Sequence, residues 1–105
     1  MSPNTASATT SLPEAKITVP QHVVYRSFPS ETVVLNLNTG KYHGLNATAG
    51  RMLDALAKAP SVRAAAAAVA DGYEQPQALV EQDMCELCRL LLDRGLVEID
   101  GGPAG

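Results

Sequence analysis

Thr32-Val33-Val34-Leu35-Asn36, then Asn38-Thr39-Gly40, then Lys41-Tyr42-His43-Gly44-Leu45, is the stretch that decides the fold. Two β-branched or aromatic runs flank a cluster of turn residues, and Gly40 can take positive φ. That pattern predicts a β-hairpin. Upstream, Ile17 to Phe28 mixes Ile17, Val19, Val23, Val24, Tyr25 and Phe28 between Pro20 and Pro29. It predicts one or two short edge strands around Val23 to Arg26.

Downstream the period becomes helical. Asn46 or Thr48 can cap a helix whose apolar positions are Ala49, Met52, Leu53, Leu56 and Ala57, stopping before Pro60. Ser61 caps a second helix, Val62 to Ala70, with Asp71-Gly72 as its stop signal. The alanines from Ala64 to Ala68 raise helix propensity and keep that helix thin. Pro76 suits the first turn of a third helix running to about Arg94, with Val80, Met84, Leu87, Cys88, Leu91 and Leu92 as its apolar stripe and Gly95 as its cap. Leu96 to Ile99 could add a closing strand. The order predicts an α+β domain of the winged helix-turn-helix kind: an N-terminal three-stranded antiparallel sheet followed by three helices.

The chain of 105 residues is long enough for one domain. Its first residues are Ser-, Thr-, Ala- and Pro-rich, without the basic and apolar blocks of an export signal. Residues 1–16 are expected to form a disordered arm, 17–99 the folded unit and 100–105 a flexible tail. The default compartment is the cytoplasm, and no apolar run approaches the ~20 residues of a membrane span.

Charge and chemistry narrow the function. Net charge is −3 overall, but it is −6 from Asp71 to Asp100 and +3 before that. A third helix bearing Glu81, Asp83, Glu86 and Asp93 would repel phosphates, which argues against nucleic acid as a partner. Cys85-Glu86-Leu87-Cys88 is the one catalytic-looking motif. It falls mid-helix within an apolar stripe, where packing is the expected role rather than thiolate chemistry. A thiol oxidoreductase is the enzyme-class rival, and a small transcriptional regulator is the nucleic-acid one. Neither His22 nor His43 has a nucleophile or paired carboxylate at motif spacing, so no catalytic residue, metal site or cofactor is expected.

Two features point to a peptide. The short strand Lys41, Tyr42, His43, Gly44, Leu45 would expose backbone donors and acceptors if it lies at a sheet edge, and Gly44 marks a place where another backbone can come close. Leu79, Asp83, Glu86, Leu87 and Leu90 form a mixed apolar and acidic flank on the third helix. A cleft between the two suits an extended peptide.

The Gly40-Lys41-Tyr42-His43-Gly44-Leu45-Asn46 segment, the Ala47/Ala49 helix with Leu53 and Leu56, and the closing Asp83-Met84, Leu87, Leu91, Arg94-Gly95-Leu96 pattern resemble the PqqD-like family, over about Val23 to Val97. That resemblance implies a recognition element for ribosomally made precursor peptides. Its third strand, here Lys41 to Leu45, accepts the leader segment, and its third helix, here about Pro76 to Arg94, clamps it. The Thr39-Gly40-Lys41-Tyr42 turn and the free-standing length look most like the discrete leader-binding proteins of lasso-peptide clusters, which work beside a leader peptidase and a cyclase. The runner-up is a peptide chaperone for a radical SAM maturation enzyme. Cys85 and Cys88 depart from the family pattern. The residues leave open whether two copies pair through the exposed strand as a homodimer.

Overall fold

The computed structural model describes residues 12–100, so residues 1–11 of the expected arm and 101–105 of the expected tail lie outside the described residues. A 3₁₀ turn at Leu12–Glu14 leads into β1 (Lys16–Thr18), β2 (Val23–Ser27), β3 (Glu31–Asn36) and β4 (Tyr42–Asn46). Three helices follow, α1 (Ala47–Lys58), α2 (Val62–Tyr73) and α3 (Gln77–Asp93), and β5 (Glu98–Asp100) ends the chain's described part. Strands β2, β3 and β4 form one antiparallel sheet in that order. The expected α+β arrangement is therefore present.

Asn36 builds the hairpin turn. Its Oδ1 accepts from Asn38 N at 2.9 Å and Thr39 N at 3.3 Å, and its carbonyl accepts from Gly40 N at 2.8 Å. Gly40 takes φ +76°, the left-handed region that an L side chain would resist. The strands then alternate faces. Val23, Thr32, Val34 and Leu45 are buried beneath the helices, while Val24 and Tyr42 lie on the opposite, exposed side.

Asn46 serves two elements at once. It is the last residue of β4 and the N-cap of α1, its Oδ1 accepting from Ala49 N at 2.8 Å. Of the two expected caps, Asn46 and not Thr48 does the work. No loop separates strand and helix, so α1 falls back directly across the sheet. Gly50 marks the crossing: a Cβ there would lie 2.7 Å from Thr32 Cβ and closer still to its Oγ1. Only a residue without a side chain lets the helix sit this low.

Helix α2 is capped by Ser61, whose Oγ accepts from Ala64 N at 3.0 Å. It runs past the expected stop at Asp71-Gly72 and ends at Tyr73, with Glu74 left-handed at φ 56°. The stop signal is local, whereas Tyr73 packs against the core and stacks under Arg51, 5.6 Å from the ring centroid. One more turn gains that burial. Ala65 and Ala66 are fully buried, so the alanine run does serve close packing. Helix α3 ends in a paired cap: Leu96 N donates to Leu91 O and Gly95 N to Leu92 O, with Gly95 at φ +71°.

Residues 12–16, assigned to the arm from composition, are packed. Ala15 is buried, its carbonyl accepts from Val62 N at 2.9 Å, and Leu12 lies against the core. Strand β5 does not extend the main sheet. It pairs with β1 in a separate two-stranded ribbon, Ile17 opposite Ile99.

Candidate functional site

Strand β4 is an edge of its sheet, and among the described residues no strand pairs with its far side. The ladder fixes which of its backbone groups are free. Asn36 N donates to Lys41 O at 2.9 Å. Hydrogen-bonded pairs alternate along an antiparallel ladder, so with Val34 opposite His43 and Thr32 opposite Leu45, those two pairs are also bonded. The N–H and C=O of Tyr42 and Gly44 therefore point away from β3, into the open edge. Of the five expected strand residues, Tyr42 and Gly44 offer backbone to a partner. Lys41, His43 and Leu45 spend theirs on the hairpin, and Leu45 is buried in the core at 8% exposure.

Helix α3 runs beside that edge, antiparallel to β4. Two contacts set the direction. At the start of β4, Arg94 Nη1 donates to His43 Nδ1 at 2.8 Å. Past its end, Thr48 and Met52 of α1 share a pocket of about 180 Å³ with Leu79, Val80 and Asp83 of α3. Between these contacts, Leu79, Asp83, Glu86, Leu90 and Arg94 recur at helical spacing and make one stripe. Leu79 and Leu90 are 48% and 41% exposed on it, and Leu87 at its margin is half-buried against the core. From Leu79 to Arg94 the helix rises ~22 Å, which an extended chain covers in about seven residues. The structure thus brings the expected strand and the expected helix flank to the two sides of one groove.

Several groove residues escape a sequence reading. Met52 counts there as core, Thr48 as an alternative cap and Arg94 as a helix end; Tyr73 and Gln75 lie beyond the expected end of α2. The pocket shows the part of Met52, Thr48, Tyr73 and Gln75, and the contact with His43 shows that of Arg94.

The cysteines lie elsewhere. Both are buried free thiols on the core side of α3. Burial pushes Cys85 up, and it pushes Cys88, helped by the neighbouring Cys85, up to about 12. That is the reverse of the depressed value a nucleophilic or redox-active thiolate requires.

Residues 31–97 match the family model described as coenzyme PQQ synthesis protein D (PqqD). The chain belongs to the PqqD family. No curated protein sequence matches it. Two solved structures share the fold of this PqqD family member. TbiB1 in complex with the TbiA(beta) leader peptide is 27% identical, with a TM-score of 0.68 over 80% of this chain and 95% of that one. A lasso peptide synthetase B1 complexed with the leader peptide is 23% identical, with a TM-score of 0.70 over 80% of this chain and 99% of that one.

Proposed function

We propose that this PqqD family protein is a non-catalytic recognition domain that binds the leader segment of a ribosomally made precursor peptide and delivers it to a separate processing enzyme. The observation that carries this reading is the open edge of β4, with Tyr42 and Gly44 directing donors and acceptors into a groove that α3 closes from the other side. An incoming strand gains main-chain bonds along the edge and side-chain contacts along the helix. The likeness to TbiB1, solved with a leader peptide bound, supports it. The sequence resemblance favours a lasso-type leader peptidase as the enzyme served. Held on this domain, the precursor meets that enzyme at a high effective concentration, which raises turnover without any chemistry from the domain itself.

The test uses a peptide selected on the wild-type protein from a display library of random 20-residue sequences. Amide exchange followed by NMR should show Tyr42 and Gly44 N–H becoming protected on binding, while His43 and Leu45 N–H are protected already. Tyr42→Pro and Gly44→Pro remove only outward donors, at positions where an edge strand tolerates proline. Each should leave the circular dichroism spectrum intact and weaken binding at least ~10-fold, since one or two bonds at ~0.5–1.5 kcal/mol are lost together with the close fit. His43→Pro, which breaks the hairpin's own ladder, should damage the fold instead. A peptide that binds both outward proline variants like the parent docks elsewhere, and the reading fails.

A further inference from the structure

We infer that the pocket between α1 and α3 takes a basic side chain of the bound peptide, lysine or arginine, and that Asp83 makes it a selectivity determinant of the domain. The inference rests on the strand-addition reading above and adds the chemistry of the residue selected.

The pocket's walls are apolar: Met52, Val69, Leu79 and Val80 line it, together with Tyr73. Asp83, Thr48 and Gln75 are its polar groups. Its volume of about 180 Å³ is the share of about six liquid waters, room for one long side chain. A lysine or arginine matches this division, laying its methylene stem on the apolar walls and keeping its charged head at the carboxylate.

The electrostatics agree. None of the residues lining the pocket is basic, and none of the described ion pairs involves Asp83. Arg51, the nearby cation, lines the separate cleft on the other side of Tyr73. The C-terminal end of α2 at Tyr73 adds partial negative charge, with Glu74 next to it. The N-terminal ends of α1 and α3 oppose this, but Asn46 Oδ1 already occupies the Ala49 amide of α1, and Asp83 lies beyond the first turn of α3, which begins at Gln77. Glu86 continues the acidic stripe one turn further along α3. At the opposite end of the groove, Arg94 sits on His43 and Lys41 lies two residues before that histidine, just ahead of β4, so a cation is favoured at one end and disfavoured at the other. The polarity fixes where along the edge the peptide must seat.

The experiment is selection from the random 20-residue library on the wild-type protein and on Asp83→Lys, with Asp83→Asn as the conservative variant. Asp83 is exposed, so all three should fold alike by circular dichroism. Wild-type selections should enrich lysine or arginine at one fixed distance from the paired stretch, Asp83→Lys should enrich aspartate or glutamate there, and Asp83→Asn should lose the preference. In a wild-type-selected peptide, replacing that basic residue by glutamine should weaken binding ~2- to 5-fold, as for a partly exposed pair. A similar loss should follow raising the salt from ~20 to ~500 mM. If peptides protect Tyr42 and Gly44 N–H but carry an aliphatic or aromatic residue at that register, unchanged by Asp83→Lys, the basic-residue inference is overturned and strand addition stands. Should no peptide be selected, or should those selected leave both amides unprotected, the two readings fall together.

Discussion

Cys88 shows how burial converts a reactive group into a packing unit. It is fully buried, and its thiol is pushed up to about 12 from the ordinary 9.0. The folded state therefore holds this proton more tightly than the unfolded chain does. The stability so contributed is complete below pH 9 and is lost as pH rises from 9 towards 12. Tyr25, raised by burial and by its bond to Asp54, titrates in the same sense, so a variant is needed to isolate the thiol. Cys88→Ala should be less stable than wild type at pH 7, by about 1–2 kcal/mol for a small cavity, yet lose less further stability between pH 9 and 11 in urea titrations. In the native protein at pH 8, both thiols should react with an aromatic disulfide reagent only as fast as the domain opens. Rapid stoichiometric labelling would show an accessible thiolate and return the Cys85–Cys88 pair to the candidate chemistry.

Helix α1 ends beside β1 rather than in open solvent. The last carbonyls of a helix lack partners within it, and Pro60 stops the chain here without a glycine cap. Lys16 of β1 supplies the donors. Its Nζ bonds Ala59 O at 2.7 Å and Ala57 O at 2.9 Å, with Leu56 O at 3.4 Å, placing a cation at the negative end of the helix. Lys16→Met keeps the stem and removes the donors, and should cost about 1.5–3 kcal/mol, as for hydrogen bonds to a charged group. Urea unfolding measures it, and an unchanged midpoint would mean that water caps α1 as well as Lys16 does. This contact also shows where reading the sequence stops. The hairpin, the caps Asn46, Ser61 and Gly95, and the stripe of α3 are local signals repeated within a few residues, so they are legible. Lys16 follows a Ser-, Thr- and Pro-rich run and looks like part of it; its role exists only because α1 ends beside β1. The groove divides in the same way. Its strand and helix flank are legible as separate patterns. The inward and outward alternation along β4, the Arg94–His43 contact and the pocket at Asp83 depend on register and on how α3 lies, which no local pattern encodes.

For the whole molecule, the family match and the physical unit differ in extent. The match begins at residue 31, but the buried apolar residues include Ala15, Ile17 and Val23 before it. The β1–β5 ribbon ties the two ends of the described chain together, through Lys16 opposite Asp100, Ile17 opposite Ile99 and Thr18 opposite Glu98. Ile17 is among the largest fully buried side chains, while the groove lies along β4 and α3, which β1 does not line. Stability and recognition should therefore separate. Ile17→Ala should cost about 2–4 kcal/mol, a large share of the ~4–13 kcal/mol expected for a domain of this size. In the molecules that remain folded, peptide affinity should stay within about twofold. Because the peptide binds only the folded state, adding it at ~100 times its dissociation constant should restore about 2.7 kcal/mol to wild type and variant alike. Thermal unfolding with and without the selected peptide measures both effects. A folded Ile17→Ala protein that binds tenfold more weakly, or gains markedly less from the peptide, would show that the terminal ribbon is coupled to the groove. The β4 edge would then be formed by the closure of the whole chain, not by the hairpin and α3 alone.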